Sequence, residues 1–230
     1  MRLSKRMQTV ADMVQKTRTV ADIGCDHAYV SIYLIQRRLA QHVIAMDINQ
    51  GPLAIARENI RQAGMEGQIA TRLSDGTEKL LPGEADTLVI AGMGGDLIIR
   101  ILDASPEVTK ACRQLILQPQ SEIVRVRAYL RKMGFEIVKE DMILDEGKYY
   151  VVLRCEQGMP GEGNPVADRY GKELLLRRHP VMGAYLRKQL KKYEAILEDL
   201  QINSPESAER MDYIRNEIIY IKEALSYYEL

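Results

Sequence analysis

The chain has no apolar run near the ~18 residues that a membrane-crossing helix needs. Its N-terminal stretch carries charge instead of the apolar core of a secretory signal. These absences predict a soluble, cytoplasmic protein with no membrane partner. Cysteine is scarce: Cys25, Cys112 and Cys155 are odd in number and lie at no metal-ligand spacing. That pattern predicts neither a disulfide framework nor a metal site, and it suits a reducing compartment. Net charge is lacking too, since 32 Lys and Arg balance 32 Asp and Glu. Internal repeats and low-complexity tracts are absent. The 46% hydrophobic and 28% charged content then excludes disorder. A chain of 230 residues has room for one α/β domain of about 150 residues and a smaller unit.

One further absence is informative. The run Val20 to Val30 (VADIGCDHAYV) reads as a buried strand, a tight turn and the start of a helix, yet it lacks the dinucleotide fingerprint G-x-G-x-x-G. Gly24 lets the backbone turn sharply and lie close against a ligand. A pyrophosphate needs bare backbone N–H groups at a helix N-terminus. Asp26 would set a carboxylate there instead. Acid at that point favours a cofactor with a cationic sulfonium and an ammonium, which points to S-adenosylmethionine.

Strands alternate with helices along the first two thirds of the chain. Residues 3–16 have Leu3, Met7, Val10 and Val14 at helical spacing. Strands follow at 42–48, 68–73, 85–91 and 114–117, with a helix at 52–63 closed by Gly64. This order predicts a parallel sheet covered on both faces. Residues 135–144 and 148–155 are separated only by Asp145-Glu146-Gly147, which is too short for a crossover, so they form an antiparallel hairpin. Parallel strands closed by such a pair characterise the class I methyltransferases. Residues 157–167 read as a linker rich in Gly and Pro. Beyond it, Leu186, Leu190, Tyr193, Leu197 and Leu200 form one heptad-like seam and Met211, Ile214, Ile218, Ile221 and Leu225 another. Asn203-Ser204-Pro205 separates them. The expected fold is therefore α/β, a Rossmann-like methyltransferase domain at 1–156 followed by a helical hairpin domain at 168–230. The hairpin either packs within one chain or pairs two, giving a monomer or a homodimer.

In an open α/β sheet, ligands lie across the carboxyl ends of the strands. Asp22 and Gly24 end the first strand, and Asp47, next to Ile48, ends the second 25 residues after Asp22. Asp47 is placed to accept from both ribose hydroxyls. Asp75, next to Gly76, follows the third strand and can accept from the adenine amine. Gly92, Met93 and Gly94 end the fourth, where substrate and the transferable methyl would meet. His27 is either a packing histidine or a contact to the methionine carboxylate. Each Asp alone is an ordinary turn residue; the set at successive strand ends is what carries the reading.

The segments LSKRM (3–7), DIGCDHAY (22–29), IAGMGG (90–95) and LILQP (115–119) together resemble the bacterial tRNA adenine-22 N1-methyltransferase family. The resemblance implies a class I methyltransferase domain with a coiled-coil-like helical C-terminal domain, and N1 of an adenine in tRNA as the acceptor. The family usually has Ser at Cys25, Gly-Glu at Met46-Asp47 and Asn at Gln120. Asp and Glu both hold a ribose, whereas Gln120 falls in the substrate-side motif. On the reactive side Asp26 is the first candidate to stabilise the charged product. Met93 shapes the slot, and Gln118, with Tyr29 or Tyr149, is expected to hydrogen-bond or stack on the base. Cations expected at RNA are Lys5 and Arg6 near the crevice and Arg125 and Arg127 after Gln118-Pro119. In the tail they are Arg177, Arg178, Arg187, Lys188, Lys191 and Lys192. Phosphate contacts of this kind supply affinity and register, not base choice. Two alternatives are a methyltransferase of a small molecule or protein, and a non-catalytic RNA-binding cofactor domain. Steep salt dependence separates RNA from a small substrate, and uptake of S-adenosylmethionine separates an enzyme from a binding module.

Overall fold

The computed structural model describes residues 3–203 and 206–229, in two compact units, Met1–Gly161 and Glu162–Leu230. The first unit runs α1 (Lys5–Asp12), β1 (Thr17–Ile23), α2 (Tyr29–Gln36), β2 (Ala40–Asp47), α3 (Gln50–Gln62) and β3 (Ile69–Leu73). It continues with β4 (Thr87–Met93), α4 (Gly95–Ala104), α5 (Pro106–Ala111), β5 (Gln114–Pro119), α6 (Ile123–Lys132), β6 (Phe135–Asp145) and β7 (Lys148–Gln157). The strands form one sheet in the order β3-β2-β1-β4-β5-β7-β6. Pairing is parallel from β3 to β5 and antiparallel for β5 with β7 and β7 with β6. This is a Rossmann-like methyltransferase sheet. The inner strands β1, β4 and β5 are apolar and largely buried, as strands covered on both faces must be. Strand order reverses between β1 and β4, which opens a crevice at their carboxyl ends.

Several boundaries move for identifiable reasons. The first helix ends at Asp12, not near 16, because the Met13 N–H is shared between the Thr9 and Val10 carbonyls and the last turn tightens. Met13 and Val14 stay buried, so the apolar period outlasts the helix. The fourth strand starts at Thr87 because Asp86 is spent on β1: its carboxylate accepts from the Thr19 N–H at 2.9 Å. The β6–β7 turn has positive φ at both Glu146 (47°) and Gly147 (78°), the requirement of a type I′ hairpin.

The second unit is helical: α7 (Pro165–Tyr170), α8 (Lys172–Leu176), α9 (Pro180–Asn203) and α10 (Ala208–Ser226). Asn164 caps α7 by accepting from the Val166 and Ala167 N–H groups. Helices α9 and α10 close on Leu200, Met211, Ile214 and Ile218, with Leu190, Tyr193 and Leu197 packed against them. The seam is thus buried within one chain. Of the expected break at Asn203-Ser204-Pro205, Asn203 is the last residue of α9 and the other two lie outside the described residues.

Candidate active site

The turn after β1 is held by backbone conformations that L-residues rarely adopt. Gly24, Asp26 and Ala28 all have positive φ, at 70°, 50° and 59°. Two neighbours fix this shape. The Cys25 N–H donates to the Met46 carbonyl at 2.8 Å, and the Asp26 N–H donates to Asp47 Oδ2 at 3.3 Å. The Asn49 N–H donates to Asp47 Oδ1 at 2.9 Å. Oδ2 of Asp47 therefore ties the turn after β1 to the end of β2, and Oδ1 holds the turn that follows β2. At Gly24 a Cβ would fall 2.2 Å from Met93 Cε, so the glycine keeps open the gap between the first and fourth strand ends.

Asp22 lies behind this turn. It is buried and accepts from Ser31 Oγ at 2.6 Å. Burial pushes its carboxyl up to about 6; the Ser31 hydrogen bonds oppose the rise and the nearby charge of Asp47 adds to it. Asp22 does not line the crevice, contrary to expectation, because its carboxylate points to the start of α2.

The end of β4 is shaped by a bulge. The β4–β5 register slips between Ala91 and Met93, with Gly92 at φ 79°. The Gly92 N–H donates to the side chain of Gln118, at 3.1 Å from Oε1. The same oxygen accepts from Arg6 Nη1 at 2.8 Å, and Gln118 Nε2 donates to the Pro119 carbonyl at 3.2 Å. Gln118 is fully buried and committed, so it braces the bulge and does not reach a base. Arg6 is itself placed by the hairpin. Its backbone N–H donates to Asp145 Oδ2 at 3.2 Å, and its guanidinium lies over the Tyr150 ring. Further on, the Gly95 N–H donates to the Ser121 carbonyl at 3.2 Å, and a Cβ on Gly95 would meet that oxygen at 2.5 Å.

These ends enclose an open cleft of about 450 Å³, the size of a small-ligand site. Of the expected cofactor residues, Gly24, Asp26, Asp47, Ile48, Asp75, Gly76, Gly92 and Met93 line it. Asp22, His27 and Gly94 do not. His27 sits beside the turn, with Nε2 3.5 Å from Asp26 Oδ1 and its ring edge-on to Tyr29. Tyr29 and Tyr149 are also outside the lining; Tyr149 pairs across the hairpin with Leu144. Gly94 is the N-cap of α4. Sequence reasoning missed Asn49 and the α4 face made by Leu97, Arg100 and Ile101. Helical spacing after Gly94-Gly95 is the one signal that could have found that face.

The cations divide differently from expectation. Arg6 lines the cleft, while Lys5 reaches the Leu144 carbonyl at 3.5 Å. Arg127 is buried and paired with Glu140 at 2.6 Å, so it is no RNA contact: a side chain 3% exposed cannot meet a phosphate. Arg125 pairs with Asp96 at 2.6 Å in solvent, and Arg177 with Glu173 at 3.2 Å. Arg178, Arg187, Lys188, Lys191 and Lys192 are exposed.

Comparison with known proteins agrees with this geometry. A family model described as a methyltransferase domain matches residues 3–153. The tRNA (adenine(22)-N(1))-methyltransferase of Bacillus subtilis (strain 168) is 39% identical over 158 residues, 69% of this chain and 66% of that protein. The chain thus matches just under two thirds of that relative's length. The crystal structure of the B. subtilis M1A22 tRNA methyltransferase TrmK superposes with a TM-score of 0.85 at 31% identity, over 97% of this chain and 99% of that one. The M. capricolum TrmK structure in complex with S-adenosyl-homocysteine gives a TM-score of 0.85 at 26% identity, over 98% of both chains.

Proposed function

The chain belongs to the tRNA (adenine-22 N1)-methyltransferase family, and on that premise we propose that it methylates N1 of an adenine in tRNA, position 22 by family. The donor is S-adenosylmethionine, which supplies a methyl group made electrophilic by its sulfonium. The observation that carries this reading is the convergence on one cleft of three acids, Asp26, Asp47 and Asp75, with the glycines Gly24 and Gly92, Gly24 leaving room for Met93 Cε. A cation-bearing nucleoside with no phosphate fits that set of acceptors. Asp47 holds the ribose hydroxyls, its orientation fixed by two backbone N–H groups. Asp75 and Gly76 bound the adenine end, and Ile48 covers one face of the ring.

The chain's residues do the rest by positioning. The acceptor N1 has an in-plane lone pair once the base is taken out of its stack. It displaces the thioether in line, forming the N–C bond as the S–C bond breaks, and no proton has to leave. Positive charge passes from sulfur to the base, and the exposed Asp26 carboxylate at the cleft wall stabilises it there. The braced bulge at Gly92 fixes the backbone against which the base arrives. The exposed cations that follow α8 and those along α9 supply phosphate contacts in the second unit. Burial of the α9–α10 seam within one chain supports a monomer. No helix among the described residues is long and apolar enough to cross a membrane, and a tRNA substrate supports a cytoplasmic site of action.

The test is methyl transfer to bulk unmodified tRNA followed by mass analysis of the nucleosides. N1-methyladenosine is the expected product. A different methylated base would retain the cleft assignment and overturn the acceptor.

A further inference from the structure

Three side chains converge on the bulge at Gly92. Measured from the position a Cβ would take there, Arg6 Nη1 lies at 3.3 Å, Gln120 Nε2 at 3.8 Å and Met7 Cε at 3.9 Å. All three line the cleft. Their chemistries differ. Met7 offers no donor, and Arg6 offers donors alone and is drawn to Gln118 and Tyr150. Gln120 is the residue of the three with both an acceptor and a donor. Its backbone is anchored, with its N–H donating to the Met93 carbonyl at 2.9 Å, so its stem starts beside the methyl end of the cleft. Among the described residues its carboxamide makes no hydrogen bond, and the residue is exposed.

An adenine that attacks through N1 must keep that nitrogen bare. Its other edge presents an N6 donor beside an N7 acceptor, and a carboxamide matches that pair in two parallel hydrogen bonds. Guanine presents two acceptors on the same edge and a protonated N1, so it satisfies neither the carboxamide nor the electrophile. We propose that Gln120 is the specificity-determining residue of the acceptor site, its Oε1 accepting from N6–H and its Nε2 donating to N7 of the target adenine. This inference rests on the tRNA methyltransferase reading and adds the residue that reads the base. Gln118 serves it indirectly, by holding the bulge past which the base enters.

The test uses two tRNAs, the parent and one with 7-deazaadenosine at the methylated position, which removes the N7 acceptor and leaves N1 and N6 in place. Single-turnover kcat/KM is measured for the full chain and for Gln120→Leu and Gln120→Asn. The native enzyme loses about 5-fold or more on the deaza substrate, the lower end of the discrimination carried by such a pair. Gln120→Leu is slow on the parent tRNA by about 10- to 100-fold on the same scale and shows no further loss on the deaza tRNA. Gln120→Asn, with the same two groups on a shorter stem, keeps part of the discrimination. Calorimetry gives unchanged S-adenosylmethionine affinity in both variants, which separates lost base reading from a damaged cleft. Equal rates of the native enzyme on the two tRNAs would overturn the role of Gln120 and leave the methyltransferase reading standing. Failure to methylate the parent tRNA would overturn both.

Discussion

Asp22 and Gly24 sit two residues apart and do opposite work. Asp22 is a buried carboxyl whose pKa stands at about 6, above the usual carboxylate range, chiefly because burial disfavours its charge. The folded chain therefore binds this proton more tightly than the unfolded chain between roughly pH 4 and 6. Stability falls as pH rises through that window and is level above it, at a cost of about 3 kcal/mol for ionising the group. Asp22→Asn removes the slope. The stability difference between variant and native chain, read from urea unfolding, should grow in favour of the variant from pH 4 to 6; a constant difference would sink the claim. Gly24 answers to space instead. A methyl there collides with Met93 Cε and adds strain at φ 70°, about 1 kcal/mol for a non-glycine. Gly24→Ala should weaken S-adenosylmethionine binding by about tenfold or more by calorimetry. Gly24→Ala with Met93→Ala should recover the part due to collision and not the part due to backbone strain.

At the scale of elements, much of the site was legible because strand ends carry their own punctuation. Asp47, Asp75, Gly92 and Met93 could be read as a cleft from apolar strands that stop at turn residues. Gln118 and Arg127 could not. Nothing in one dimension says that Gln118 turns inward to brace a bulge, since a bulge is a mismatch between two strands and each strand looks regular alone. Arg127 sits in a basic cluster, and only the packing of α6 on β6 shows its partner, Glu140. That pair is nearly dry, with Nη2 2.6 Å and Nε 3.0 Å from the same oxygen. Breaking it leaves a buried charge without its partner. Glu140→Leu should cost about 3–5 kcal/mol in chemical unfolding, while Arg127→Met with Glu140→Leu should regain most of that loss. If the double variant is as unstable as the single, the pair is not the unit that joins helix to strand.

For the whole molecule, a net charge of zero is the sum of unlike parts. Acids line the cleft, where a cationic donor fits, and cations crowd the first half of α9, where Arg187, Lys188, Lys191 and Lys192 repeat at one-turn spacing along an exposed face. On the proposed reading the two charge fields serve different ligands, so they should respond to different variables. Neutralising the four α9 residues to Gln should raise the KM for tRNA and flatten its dependence on salt. The slope of log affinity against log salt should shrink by about 0.7–0.9 for each phosphate contact removed. The affinity for S-adenosylmethionine should not move, and neither should kcat at saturating tRNA, because neither reads phosphate. A native slope that persists in the four-residue variant would make this face a solvated helix surface and assign phosphate binding to other cations, Arg6 at the cleft among them. A change in kcat alone would instead mean that the tail acts on the chemistry and not on the capture of its substrate.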